Sequence, residues 1–175
     1  NEAFRQWALL HIKKLIHDRG IQLNKWKMSH KEIDFSMPEL LATPLRDKLN
    51  QRMKVIAINL PKLRGILSHF TQPRHTFAHE ITHRLKVIAC IERPNMTHSE
   101  SLDPLLSDDE LGKISKWMGA KKNDAQIILW GPVEEIPTAL ETVEERIRMA
   151  FEGVPEETRK SFPDGTTIFE RVLPG

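Results

Sequence analysis

The residues His79-Glu80-Ile81-Thr82-His83 form the pattern HExxH, whose spacing could support metal chemistry. In zinc peptidases, two histidines one helical turn apart bind the metal, and the glutamate between them polarises a bound water. The pattern requires a helix that continues past the second histidine. The residues that follow, LKVIACI at 85–91, favour a β-strand instead. His79 and His83 are therefore weak metal candidates, and a surface or interface role for both is the favoured interpretation.

A second set of residues could contact phosphate. Residues 1–93 carry 17 Lys and Arg against 8 Asp and Glu, whereas residues 94–175 carry 9 against 16. A segregated basic half is typical of proteins that meet nucleic acid. Four cations near the two predicted strands are the predicted nucleic-acid contacts: Lys62, Arg64, Arg74 and Lys86. The alternative is that they pair with the five glutamates between Glu134 and Glu145.

Composition and motifs exclude several other classes. The single cysteine, Cys90, cannot form a disulfide within the chain, which predicts a reducing, cytoplasmic compartment. Cys90 is predicted to be a buried, unreactive thiol in the second strand. No apolar run approaches the ~20 residues of a membrane span, so no membrane contact is expected. The sequence holds no Gly-rich phosphate loop and no GxSxG motif, and no catalytic residue is predicted.

The elements that position these residues follow from hydrophobic periodicity. A helix is predicted over 2–18 and a short one over 44–49, with another short helix over 76–83. Strands are predicted over 54–60, 85–91 and 125–130, and an exposed loop over 93–106. A capping box at 107–110 begins another helix, and a long last helix follows Pro132. The buried stripe of the first helix is predicted to be Phe4, Trp7, Ala8, Ile12, Leu15 and Ile16. Residues 21–43 allow no assignment.

Helices that cover one face of a small sheet make a two-layer domain. The predicted fold class is therefore α+β, a two-layer sandwich with a small, mostly antiparallel sheet and helices on one face. The first helix is predicted to flank this sandwich. The chain is also expected to be part of a longer protein.

Three strings resemble one known family: TQPRHTFAHEITHRLKVIACIERPNMTHSESLD, DAQIILWGP and GVPEETRKSFPDGTTIFERVLPG. They resemble the E subunit of the archaeal-type glutamyl-tRNA(Gln) amidotransferase, and the last string, at 153–175, is the most specific. The region before it resembles the GAD domain, a DCoH-like insert shared with bacterial aspartyl-tRNA synthetases. The opening helix resembles the segment that leads into that insert. The resemblance implies a helical lead-in at 1–50, a GAD-like insert at 51–153 and a return linker at 154–175.

The resemblance also implies what the parent enzyme does. The family binds Glu-tRNA(Gln), activates the glutamate with ATP and Mg²⁺, and amidates it to glutamine with ammonia from an asparaginase-type D subunit. The family's catalytic and metal-binding residues lie outside this region, so none is assigned here and the segment itself is expected to need no cofactor. It is expected to be an accessory domain near tRNA(Gln) or a structural one. Two alternatives remain, an aspartyl-tRNA synthetase insert and an HExxH zinc hydrolase.

Overall fold

A computed structural model of the chain describes residues 2–37, 43–102 and 104–174. Five helices are described: α1 Glu2–Asp18, α2 Thr43–Asn50, α3 Phe77–Ile88, α4 Asp108–Trp117 and α5 Ile136–Glu152. Eight strands accompany them: β1 Ser29–Ile33, β2 Lys54–Leu60, β3 Phe70–Gln72, β4 His75–Thr76, β5 Met96–His98, β6 Ala125–Gly131, β7 Glu157–Ser161 and β8 Thr167–Val172. A turn of 3-10 helix, Val133–Glu135, precedes α5.

The central sheet has four antiparallel strands in the order β1-β2-β6-β5. Successive side chains of β2 and β6 point to opposite faces, and both faces are apolar, as in strands covered on two sides. Ile56, Ile58 and Leu60 pack with α1, α3 and α5 on one face. Two smaller antiparallel hairpins, β3-β4 and β7-β8, lie outside the central sheet.

The predicted α+β class with a mostly antiparallel sheet and an N-terminal helix is confirmed. The larger helices, α1, α3 and α5, all lie on one face. The other face also has cover, because Val55 and Ala57 of β2 pack against Leu45 of α2 and Ile114 of α4. The capping box at the start of α4 is confirmed as well, since Ser107 Oγ accepts from the Glu110 N–H at 3.2 Å.

The predicted strand over 85–91 is wrong, because this segment lies largely in α3. Phe77, Ile81 and Leu85 recur at four-residue spacing and bury completely against the same face as α5. That burial outweighs the β-branched character of the segment, whose Val87 is left 45% exposed. The helix ends with Cys90 in the left-handed region at φ +58. Cys90 is exposed, so the prediction of a buried thiol is also wrong.

Two further predictions are corrected, and one unassigned segment is resolved. Residues 93–106, predicted to be a loop, contain β5, which pairs with β6 at the edge of the sheet. Residues 21–43, which allowed no assignment, contain β1, and residues 38–42 lie outside the described part. The predicted stripe of α1 is correct for Ala8, Ile12 and Ile16, which are buried. Phe4 and Trp7 are 44% and 58% exposed, and Arg5 and Leu9 are buried in their place.

Candidate nucleic-acid interface

The loop 61–65 leaves β2 at one end of the sheet and carries Lys62 in a fixed position. The Lys62 N–H donates to Asp124 Oδ1 at 2.9 Å, and its carbonyl accepts from Arg19 Nη1 at 2.7 Å. Its φ is +64, a left-handed conformation that these two bonds hold in place. The ammonium group of Lys62 itself is exposed and makes no ion pair with any described residue.

Asp124 is the carboxylate that joins this loop to the start of β6. It accepts from the N–H groups of Lys62 and Lys121 at 2.9 Å each and from Asn59 Nδ2 at 3.0 Å. Burial raises the pKa of Asp124, but these donors stabilise the carboxylate more and bring its pKa below the usual value. Through these hydrogen bonds Asp124 fixes the backbone of Lys62 and Lys121, and its carboxylate makes no ion pair with either ammonium group within the described ranges.

Arg64 lies in the same loop and is tied to the turn before β6. Its N–H donates to the Asn123 carbonyl at 3.0 Å, and its Nη1 donates to the Lys122 carbonyl at 3.2 Å. Arg19, Lys62 and Arg64 line one surface cavity of about 520 Å³. The two predicted contacts Lys62 and Arg64 therefore lie side by side.

A neighbouring segment, 20–28, brings two more lysines to this end of the sheet. The buried Trp26 anchors the segment, because its Nε1 donates to the Pro61 carbonyl at 2.9 Å. Lys25, Lys27 and Lys62 line a second cavity of about 400 Å³.

We define the basic end as the cations that these two loops and the turn before β6 gather: Arg19, Lys25, Lys27, Lys62, Arg64, Lys121 and Lys122. All seven are exposed, and none forms an ion pair within the described ranges. Sequence reasoning missed five of them, although the pair at 121/122, shortly before the predicted strand 125–130, was a usable signal. Clustered, unpaired cations of this kind can contact a phosphate backbone without reading its sequence.

The other two predicted contacts lie elsewhere. Arg74, in the β3–β4 turn, pairs with Asp164 at 3.0 Å. Lys86 lies in the last turn of α3, about 13 Å along the helix axis from the first residue of that helix, Phe77. The second predicted strand, at 85–91, does not form and so cannot pair with β2, and only Lys62 and Arg64 of the four predicted contacts share a site.

The HExxH residues do lie on a helix that continues past His83, so the predicted helix end was wrong. Their geometry is nevertheless unlike that of a zinc peptidase. Glu80 is 3% exposed, and its carboxylate accepts from Arg5 Nη2 at 2.6 Å and from Arg146 Nη2 at 3.2 Å. A carboxylate held in this way faces the protein interior and cannot polarise a water between the two histidines.

Hydrogen bonds also fix the tautomers of the two histidines, and one lone-pair nitrogen of each ring is already occupied by a donor and is not free to bind a metal ion. His79 Nδ1 accepts from the Thr76 N–H at 2.9 Å, and His83 Nε2 lies 3.0 Å from Arg93 Nη1, which can only donate. Each ring therefore carries its proton on the remaining nitrogen. Within the described ranges, no group of three or more His, Cys, Asp or Glu is arranged to hold a metal ion.

Glu80 belongs to a buried network that we call the arginine cluster: Arg5, Arg84, Arg146 and Arg159 with Glu80 and Glu157. Glu157 accepts from Arg159 Nη1 at 2.6 Å and from Arg84 Nη2 at 2.7 Å. Burial raises the pKa of Glu80, but the charges of Arg146 and Arg5 outweigh it and hold that pKa far below its usual range. The cluster joins α1, α3 and α5 to the β7–β8 hairpin.

These observations define a mixed α+β module with free cations at one end, paired arginines in its interior, and an HExxH motif whose glutamate is used structurally. Over its whole length, the chain is similar to the archaeal E subunit of glutamyl-tRNA(Gln) amidotransferase, which confirms the resemblance read from the sequence. It is 32% identical over 178 residues to the protein of Sulfurisphaera tokodaii, covering 100% of this chain and 28% of that protein. Identity is 31% over 175 residues with the Pyrococcus abyssi protein and 31% over 176 with that of Methanocaldococcus jannaschii.

The matched region is 27% of each of the last two proteins, and it covers 99% and 100% of this chain. The chain thus spans little more than a quarter of the length of these relatives. No family model matches it. In the described part of the chain, no helix combines the length and apolar character that a bilayer span requires.

Proposed function

We propose that this chain is an accessory segment of a cytoplasmic, tRNA-dependent amidotransferase that converts Glu-tRNA(Gln) to Gln-tRNA(Gln) with ATP and an amide donor. The similarity to the archaeal E subunit over the whole chain supports this assignment over an aspartyl-tRNA synthetase insert. The segment supplies no catalytic residue. ATP and Mg²⁺ bind in the remainder of the parent protein, and the ammonia comes from an asparaginase-type D subunit.

The basic end is the part of the segment that contacts tRNA(Gln). The observation that carries this proposal is that its seven cations are exposed and free of ion pairs among the described residues, with no glutamate of α5 neutralising them. Phosphate contacts by Lys and Arg position an RNA and supply salt-dependent affinity. Arg74 and Lys86 contribute less, because Arg74 is already paired and Lys86 lies apart.

The division into a lead-in at 1–50, a GAD-like insert at 51–153 and a return linker at 154–175 remains part of the proposal. In this division the lead-in contributes β1 to the sheet and α1 to the core. The return linker contributes the β7–β8 hairpin, which the arginine cluster holds on the helices. The three parts are expected to fold as one body.

The test is amidation of Glu-tRNA(Gln) by the complete parent protein with its asparaginase-type partner. The variant combines Lys25→Ala, Lys27→Ala, Lys62→Ala and Lys122→Ala, since these four ammonium groups make no hydrogen bond or ion pair that would hold the loops. The expected result is a raised KM for Glu-tRNA(Gln) with an unchanged kcat, because the lysines bind the ground state and the transition state equally.

The charge-matched control combines Lys13→Ala, Arg46→Ala, Lys160→Ala and Arg171→Ala, all exposed and outside the residues that define the basic end. It should leave KM unchanged. Equal KM values for the two variants would contradict tRNA contact at the basic end. A complete parent protein that forms no Gln-tRNA would contradict the amidotransferase assignment itself.

A further inference from the structure

A cavity of about 590 Å³ lies outside the basic end, beside the β3–β4 hairpin, the first turn of α3 and β5. Phe70 and Leu102 supply apolar lining and are 49% and 79% exposed. The imidazole rings of His79 and His98 supply polar lining. An open concave site with apolar walls and a few fixed polar groups is the usual geometry of a ligand site.

Backbone hydrogen bonds determine which ring nitrogen accepts in each of the two histidines. His79 Nδ1 accepts from the Thr76 N–H at 2.9 Å, and His98 Nδ1 accepts from the Glu100 N–H at 3.2 Å. Burial lowers the pKa of each ring to about 4, so both are neutral at pH 7. Each ring therefore carries its proton on Nε2, and neither Nε2–H has an acceptor among the described residues.

The charged side chains that line the cavity, Arg74 and Glu100, are held by other groups. Arg74 is paired with Asp164. The Glu100 carboxylate is occupied by the N–H groups of Gly65 and Ser68 and by the Ser68 hydroxyl. The cavity thus offers two uncharged N–H donors beside an exposed aromatic ring. This combination suits a flat, neutral group with acceptor atoms on its edge.

We propose that this cavity binds one unpaired nucleobase, with its face against Phe70 and its acceptor edge toward the Nε2–H groups of His79 and His98. Unstacked bases pack on aromatic side chains, and every base carries ring-nitrogen or carbonyl acceptors. The sugar-phosphate then extends toward solvent near Arg74. A metal ion does not fit this arrangement, because Nε2 would have to lose its proton and Nδ1 its backbone bond.

The base can come from a free nucleoside or from an unpaired nucleotide of RNA. The RNA source rests on the proposed function, whereas the free nucleoside does not. The probe is a short single-stranded RNA with one 4-thiouridine, cross-linked by long-wavelength light to the complete parent protein. Mass spectrometry of the cross-linked peptides locates the base, and free uridine is the competitor.

The expected cross-links lie in peptides 70–79 and 96–102. Phe70→Ala should raise the RNA concentration for half-maximal cross-linking at these peptides by on the order of tenfold, because a stacking surface is lost. Phe35→Ala is the control, since Phe35 is 54% exposed and follows β1 at the opposite edge of the sheet. Protection by uridine identifies a site for any free base, and cross-linking without such protection identifies a base held in RNA.

Cross-links confined to other peptides would overturn the proposal, as would equal half-maximal concentrations for Phe70→Ala and the unchanged protein. His98→Leu supplies a second test, because it removes one N–H donor and should weaken cross-linking about threefold to tenfold. The amidation assay measures the proposed function separately through the KM of Glu-tRNA(Gln). Either proposal can therefore fail while the other stands.

Discussion

The basic end and the arginine cluster contain similar side chains in opposite environments. At the basic end, seven cations are exposed, and those that bond at all bond to backbone carbonyls. In the arginine cluster, Arg5, Arg84 and Arg146 are at most 1% exposed and bond to Glu80 and Glu157. The comparison shows that the chain uses its cations in two separate ways, as free charges on the surface and as paired charges in the interior. Only the exposed cations are available to a partner.

Energetics separate the two regions further. An exposed ion pair contributes about 0–1 kcal/mol, so the protein loses little by leaving surface cations unpaired. A buried charge that loses its partner is destabilising by about 3–5 kcal/mol, because neither water nor another charge replaces the partner. Substitutions in the arginine cluster should therefore act on folding, and substitutions at the basic end on binding.

The largest expected effect is that of Glu80→Gln. This change removes the charge that faces Arg5, Arg146 and Arg159, and we expect the free energy of unfolding to fall by about 3–5 kcal/mol. Urea denaturation of the chain measures it. Asp109→Asn is the control, because Asp109 pairs with Lys113 on the surface and should contribute less than about 1 kcal/mol. A loss of the same size in both variants would remove the distinction between buried and exposed pairs.

A pH series should give the next largest effect. Burial lowers the pKa of His83 to about 3 and that of His98 to about 4 from an ordinary 6.5. Between the folded-state pKa values and 6.5, the unfolded chain binds more protons than the folded chain does. The contribution of these histidines to the free energy of unfolding is therefore complete above pH 6.5 and is lost progressively toward pH 4. The slope should reach about 1.4 kcal/mol per pH unit for each histidine. Glu80, whose pKa lies below its ordinary 4.5, contributes a further loss only in more acidic solution.

His98→Gln should reduce this slope by about one histidine's share, as measured by thermal or urea unfolding from pH 7 to pH 4. His30→Gln, at an exposed position of β1, is the matched control and should leave the slope unchanged. A stability that is flat from pH 7 to pH 4 would show that the histidines near α3 are not held neutral by the fold.

Local signals in the sequence predicted a substantial part of the fold. Periodicity gave α1 over 2–18, the run VIAINL gave β2, and the capping box at Ser107 gave α4. Each of these signals lies within a single element or its cap. The short strands β1 and β5 were missed because their assignment depends on pairing with β2 and β6, which lie far away in the chain.

The same limit applies to the sites. Lys62 and Arg64 were found because they share one loop. The role of Glu80 was missed because its arginine partners lie 75 residues before it and 66 and 79 residues after it. The HExxH spacing predicted a helix geometry but not which side chains face inward, which depends on α1 and α5 packing against α3. Contacts between distant segments decided both sites.

The measurement that tests this account most directly is tRNA(Gln) binding by the complete parent protein across a salt series. Each phosphate contact adds about −0.7 to −0.9 to the slope of log affinity against log salt. The variant with Lys25→Ala, Lys27→Ala, Lys62→Ala and Lys122→Ala should bind more weakly, and its slope should be shallower by up to about 3. The Lys13, Arg46, Lys160 and Arg171 control should keep the original affinity and slope. Identical affinities and slopes for the two variants would contradict the claim that the free cations of the basic end contact RNA.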